Sequence, residues 1–161
     1  MPSKLPGSLW LLRKIRPKVF RVGNHVDGVA GEDMGSIAKT QGIVALITAA
    51  REVVLECSVE QVWQGMQTDA EAIVIDVRED REWHEGHLPN AIHLSRGVIE
   101  WLIPDVVPDP QQRVILYCGI GQRSLLAGQS LRALGYTQVY SLTGGIAAWR
   151  AAGYPIVQES V

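Results

Sequence analysis

From Ile43 onward the apolar positions Leu46, Ile47, Ala50 and Val54 recur at helical spacing, which predicts a helix leading into a folded domain near residue 53. Ser58-Val59-Glu60-Gln61 has the capping-box pattern, so a second helix is predicted from Ser58 to about Met66. The pattern then changes. Ala72-Ile73-Val74-Ile75 is a continuous apolar run rich in β-branched residues, of the kind found in strands buried on both faces. Residues 92–94, 114–118 and 138–142 read as further strands, and residues 97–103 and 124–134 as helices, the last with Leu125, Leu126, Leu131 and Leu134 as its stripe and Gly135 as its stop. Thr143-Gly144-Gly145 marks a turn, and residues 146–152 form a short final helix ended by Gly153 and Pro155. Strands alternating with helices predict an α/β domain with a mostly parallel sheet. In such sheets ligands bind beyond the carboxyl ends of the strands. The strand at residues 114–118 ends on Cys118.

Composition adds bounds. The 161 residues suit one ordinary domain plus an extension, and 47% hydrophobic against 20% charged residues can support a core. Two cysteines, Cys57 and Cys118, argue against a disulfide scaffold and for a reducing compartment. The longest apolar stretch, residues 43–47, falls far short of the ~20 residues of a membrane helix, and residues 9–12 are too short for a secretory signal. The expectation is a cytoplasmic protein with no membrane span.

The net charge of −2 hides an asymmetry. Six of the 15 basic residues and none of the 17 acidic ones fall in residues 1–26, giving that arm +6 and the remainder −8. Such an arm either folds back on the acidic body or docks an acidic partner, a membrane surface or a nucleic acid; no nucleic-acid partner is expected. Glycines 28, 31, 35 and 42 suggest a flexible link behind it. The resulting division is residues 1–52 (arm, link and lead-in helix), 53–157 (catalytic domain) and 158–161 (tail). The lead-in helix at residues 43–54 offers a contact surface for a homodimer.

The chemistry concentrates in Cys118-Gly119-Ile120-Gly121-Gln122-Arg123-Ser124. A cysteine at a strand end, a short Gly-containing loop and then a helix together make a holder for an anionic sulfur. Loop amides can turn inward, and the positive end of the helix dipole points at the same spot. The thiolate is the nucleophilic form of cysteine. Arg123 adds a permanent charge and a fork of donors.

Four stretches, in this order, carry a resemblance: Ile75-Asp76-Val77-Arg78, Glu85-Gly86-His87-Leu88-Pro89-Asn90-Ala91, the Cys118–Ser124 loop, and Leu142-Thr143-Gly144-Gly145 followed by Trp149. Over residues 55–156 the chain resembles the rhodanese-like family of sulfurtransferases. Asn90 stands where that family often has Gly, and Asn tolerates the left-handed conformation. The resemblance implies a small, mostly parallel five-stranded sheet flanked by helices, behind a partly helical N-terminal extension. It also implies transfer of sulfane sulfur in two steps. Cys118 takes the outer sulfur of a small anion such as thiosulfate, and the Cys118 persulfide passes it to cyanide, a thiol or a partner protein. Gly119, Ile120, Gly121, Gln122, Arg123 and Ser124 would bind the substrate and stabilise its charge. No cofactor and no metal is implied, and His84, His87 and His93 lack metal-ligand spacing.

Other residues keep two readings. Arg123 either binds the donor or folds back to brace the loop. Ser124 is a helix N-cap, a donor to the sulfur, or both. Asp76 and Arg78 are supporting residues that either tie down loop amides or lend positive potential to the pocket. Cys57 is a core thiol or a resolving cysteine. His87 reads as a hydrogen-bonded loop residue, and Trp83, Trp101 and Trp149 as core or pocket wall.

Three rival functions remain: a cysteine phosphatase or arsenate reductase, a binding module without catalysis, and a sulfur relay between proteins. Phosphatases of this logic separate Cys and Arg by five residues to admit a tetrahedral oxyanion. Here four intervene, a tighter loop suited to one sulfur atom.

Overall fold

The computed structural model describes residues 34–68 and 71–158. Five parallel strands form one sheet in the order β1-β5-β4-β2-β3. They are β1 (Leu55–Cys57), β2 (Ala72–Asp76), β3 (Ile92–His93), β4 (Arg113–Tyr117) and β5 (Val139–Leu142). Six helices flank them: α1 (Met34–Val53), α2 (Val59–Gln67), α3 (Asp80–His84), α4 (Ile99–Val106), α5 (Gln122–Ala133) and α6 (Gly145–Ala151).

β4 is the middle strand, and its sequence shows it. Arg113-Val114-Ile115-Leu116-Tyr117 is buried from Val114 onward, as a strand covered on both faces must be. Val114 and Leu116 enter a cluster with Ile47 and Ala50 of α1, Val54 just after it, Ile99 and Ile103 of α4, and Leu125 and Leu131 of α5. Ile115 and Tyr117 face the other way, into a cluster with Val59, Val62, Ile146 and Trp149 of α2 and α6. Alternation along one strand therefore feeds two cores.

Several elements differ in extent from the sequence expectation. α1 begins at Met34, so Gly35 and Gly42 lie within a helix rather than a flexible link. Each interior glycine costs about 1 kcal/mol against alanine, and burial of Ile47, Ala50 and Val54 against the domain offsets it. Its exposed face carries Ile43, Val44, Leu46 and Val53. α5 begins at Gln122, not Ser124, because Gly121 takes a left-handed conformation (φ 92) and caps it. α3, which no apolar periodicity announces, starts at the N-cap Glu79, whose N–H donates to the Glu82 carboxylate at 3.2 Å. The Ser58 box on α2 is present with both of its bonds. Asn90 is left-handed at φ 58, as its residue type allows.

The basic arm at residues 1–26 and the last three residues of the tail lie outside the described residues. Among the described residues no helix is long and apolar enough to cross a membrane.

Candidate active site

Cys118 follows β4 directly and is 1% exposed. Its sulfur therefore sits beyond the carboxyl end of the central strand, where parallel sheets place their ligands. The Gly121 N–H donates to Cys118 Sγ at 3.2 Å. Ser124 Oγ stands 3.7 Å from the same sulfur. Both belong to the start of α5, a 12-residue helix whose first-turn amides lack intrahelical acceptors and whose dipole is positive at that end. Of the amides from Gly119 to Ser124, the Gly121 N–H is the one that reaches Sγ.

Ser124 is not the N-cap but lies inside the first turn, fully buried. Its hydroxyl is 2.8 Å from Ser141 Oγ on β5 and 3.1 Å from the Gly121 carbonyl. A hydroxyl has one proton and two lone pairs. When Ser141 donates to Ser124, the Ser124 proton is free to point at the sulfur. Sequence reasoning did not single out Ser141, because nothing in Val139-Tyr140-Ser141-Leu142 signals what a buried strand hydroxyl will face.

The loop is held from below by α6. The Ile146 N–H donates to the Cys118 carbonyl at 2.9 Å and the Ala147 N–H to the Gly119 carbonyl at 3.1 Å. Two orphan amides of the α6 N-terminus are thereby satisfied, and two loop carbonyls are turned away from the sulfur. This contact explains Gly144-Gly145. Gly145 has φ 57, and a Cβ there would stand 2.8 Å from Gly119 C and overlap the Cys118 carbonyl oxygen.

Arg123 folds back to α3. Nη1 donates to Glu82 Oε2 at 2.6 Å and Nη2 to Glu82 Oε1 at 2.7 Å, a bidentate pair that is partly exposed on both sides. The hydrogen bonds from Arg123, stronger than the opposing desolvation, hold the Glu82 carboxyl down to about 2. The same pairing pushes the Arg123 guanidinium up. Arg123 Nη2 also lies 3.4 Å from where a Gly119 Cβ would stand, so the side chain crosses the loop closely. Glu82 is a residue the sequence reading missed; its only signal was its place three residues after Glu79.

Asp76 and Arg78 form a buried pair, with Arg78 Nη2 at 2.6 Å and Nε at 3.0 Å from Asp76 Oδ2. Arg78 also donates to the Gly86 carbonyl at 2.8 Å, and its own N–H goes to Asp76 Oδ1 at 2.9 Å. The Leu88 N–H donates to Tyr117 Oη nearby at 3.1 Å, and burial pushes the Tyr117 phenol up. The pair thus fastens the end of β2 to the Gly86-His87-Leu88 turn. Among the described residues no hydrogen bond links either member to the Cys118 loop.

Cys57 is half-buried, with its thiol 3.7 Å from the Ser141 carbonyl. Burial, opposed by the Arg113 charge, pushes it up to about 11. It packs with the α2/α6 cluster while Cys118 belongs to the α1/α4/α5 cluster, so the two thiols lie on opposite faces of the sheet. Both are free. His87 bonds through Nδ1 to the Leu88 carbonyl and stacks on Trp83. Trp83 and Trp149 are buried as expected, but Trp101 is 82% exposed. α4 buries Ile99 and Ile103, one turn apart, and a residue midway between them faces outward. Ile120, at the loop tip, is 63% exposed.

Residues 58–152 match the rhodanese-like domain family. A sulfurtransferase of Allochromatium vinosum is 32% identical over 105 residues, 65% of this chain and 96% of that protein. Among solved structures, the polysulfide-sulfur transferase homodimer of Wolinella succinogenes aligns with a TM-score of 0.67 and 29% identity, over 80% of this chain and 96% of that one. A Rhodopseudomonas palustris protein described as a possible tyrosine phosphatase aligns with a TM-score of 0.68 and 26% identity, over 81% of this chain and all of that one.

Proposed function

The chain belongs to the rhodanese-like domain family, and we propose that it is a sulfurtransferase working through a Cys118 persulfide. The observation that carries this reading is the buried Cys118 Sγ, which accepts the Gly121 N–H at 3.2 Å at the positive end of α5. The Cys118 thiolate attacks the outer sulfur of a donor such as thiosulfate. The donor S–S bond breaks, sulfite leaves with the electron pair, and Cys118 holds an anionic persulfide. A thiophilic acceptor (cyanide, a thiol or a protein thiol) then takes the outer sulfur and restores the thiolate. The Gly121 amide, the Ser124 hydroxyl and the α5 dipole all favour negative charge at this sulfur, before and after transfer. Related proteins named sulfurtransferase and thiosulfate sulfurtransferase support the reading.

Steady-state rates with thiosulfate and cyanide test it. Parallel double-reciprocal lines are expected, and Cys118→Ala should have no activity; intersecting lines or an active Cys118→Ala would overturn it. The neighbour described as a possible tyrosine phosphatase keeps a second reading in view. The four-residue spacing in the loop and the engagement of Arg123 by Glu82 disfavour a phosphate in this cradle. Turnover of a phosphate ester at Cys118 would reverse that choice.

A further inference from the structure

Glu82 and Arg123 carry an inference that rests on the sulfurtransferase reading above. Thiosulfate is a dianion, and a site built for it gains from an unpaired cation at its mouth. The loop offers none from Gly119, Ile120, Gly121 or Gln122, all neutral. The two arginines that the sequence singles out for this site, Arg78 and Arg123, are both engaged. Arg78 is buried against Asp76, and Arg123 is held in a bidentate pair by Glu82.

We propose that Glu82 is a specificity-determining residue: by neutralising Arg123 at the rim of the Cys118 loop, it makes the site favour singly charged organic sulfane donors over the thiosulfate dianion. Two further observations agree with this. Glu79, the N-cap of α3, carries a second negative charge that acts on Arg123 in the same direction as Glu82 does. Ile120, at the loop tip and 63% exposed, presents an apolar side chain to whatever approaches. The Glu82 carboxyl, held down to about 2, stays ionised across any working pH.

The chemistry needs no extra reagent. With an organic thiosulfonate, the Cys118 thiolate attacks the terminal sulfur, the S–S bond breaks, and the sulfinate leaves with the electron pair. With an organic persulfide anion the same attack releases a thiolate. In each case one S–S bond forms as one breaks, and Cys118 carries the persulfide.

Glu82→Gln removes the charge while keeping an acceptor for Arg123, so the brace across the loop survives. The experiment compares kcat/KM for thiosulfate and for benzenethiosulfonate in the full chain, with cyanide as acceptor, at low and high salt. Wild type should prefer benzenethiosulfonate and show a thiosulfate KM that changes little with salt. In Glu82→Gln the thiosulfate to benzenethiosulfonate ratio should rise on the order of tenfold, mainly through the thiosulfate KM, and become salt-sensitive. An unchanged ratio, with both donors falling together, would make Glu82 a brace only and overturn the proposal. So would a wild-type thiosulfate KM that climbs steeply with salt, a result that stands even if the variant does not fold. If neither donor loads Cys118 in the wild type, the sulfurtransferase reading itself fails, and this inference with it.

Discussion

Gly145 lies against the carbonyl of Cys118 so closely that no side chain fits between them. The residue is left-handed (φ 57), its neighbour Ile146 donates its N–H to that carbonyl at 2.9 Å, and a Cβ would collide with both Cys118 O and Gly119. The turn after β5 therefore sets the height of the Cys118 loop.

Gly145→Ala should push the loop off α6. The left-handed backbone alone costs about 1–2 kcal/mol for a residue with a Cβ. The displaced sulfur should cost sulfur transfer about a hundredfold, since misplacement by about 1 Å is enough for that. Steady-state kinetics beside a thermal melt checks this: near-normal kcat/KM in a folded Gly145→Ala would show that the contact does not position the loop.

Ser124→Ala removes a hydroxyl 3.7 Å from Sγ and leaves Ser141 without its 2.8 Å partner. A hydrogen bond to a charged group is worth ~1.5–3 kcal/mol, so kcat/KM should fall about tenfold to a hundredfold. Ser141→Ala should fall less, because Ser141 does not touch the sulfur and acts on it through Ser124 and the Gly121 carbonyl. The two measured together decide the order; an equal or larger loss in Ser141→Ala would contradict it.

Arg78→Met should unfold the domain rather than disable its chemistry. It strands the Asp76 carboxylate, which has 0% exposure, and frees the Gly86 carbonyl. Breaking a buried pair by removing one partner costs about 3–5 kcal/mol, a large share of the ~5–15 kcal/mol of a typical domain. Denaturant titration should show that loss, with part of it recovered in the double variant Asp76→Asn, Arg78→Met. A midpoint equal to wild type would mean that the pair does not hold the turn.

The Glu82–Arg123 pair should also show in acid. The Glu82 carboxyl sits at about 2 in the folded chain against an ordinary 4.5. Its contribution to stability is therefore complete above pH 4.5 and disappears as pH falls toward 2. The difference in Tm between wild type and Glu82→Gln should be constant above pH 5 and close between pH 4.5 and 2. A difference that persists unchanged at pH 2 would show that the pair's charge contributes nothing.

Strands β2 to β5 and the position of Cys118 at a strand end are legible because each has a local signature, whereas the three-residue β1 (Leu55–Cys57) has none. Ala72-Ile73-Val74-Ile75 is apolar without alternation, as a doubly covered strand is, and Cys118 stands at the junction of strand and glycine-containing loop. What stayed hidden is long-range. The Glu82 contact to Arg123 spans 41 residues and the Ser141 contact to Ser124 spans 17, and no local pattern encodes either. Glycines at 35 and 42 argue for a link and so place the helix start at Ile43, whereas α1 begins at Met34. Burial of Ile47, Ala50 and Val54 outweighs that local preference. Trp101 misled for the converse reason: a large aromatic suggests a core, but its register on α4 turns it to solvent.

The central claim is that Cys118 carries the sulfur, and intact mass measures it most directly. The reduced protein, incubated with thiosulfate or benzenethiosulfonate and desalted, should gain the mass of one sulfur atom and lose it again on addition of cyanide. Cys118→Ala should gain nothing, although it retains Cys57. A sulfur retained in Cys118→Ala, or no gain in the wild type with either donor, would contradict the account.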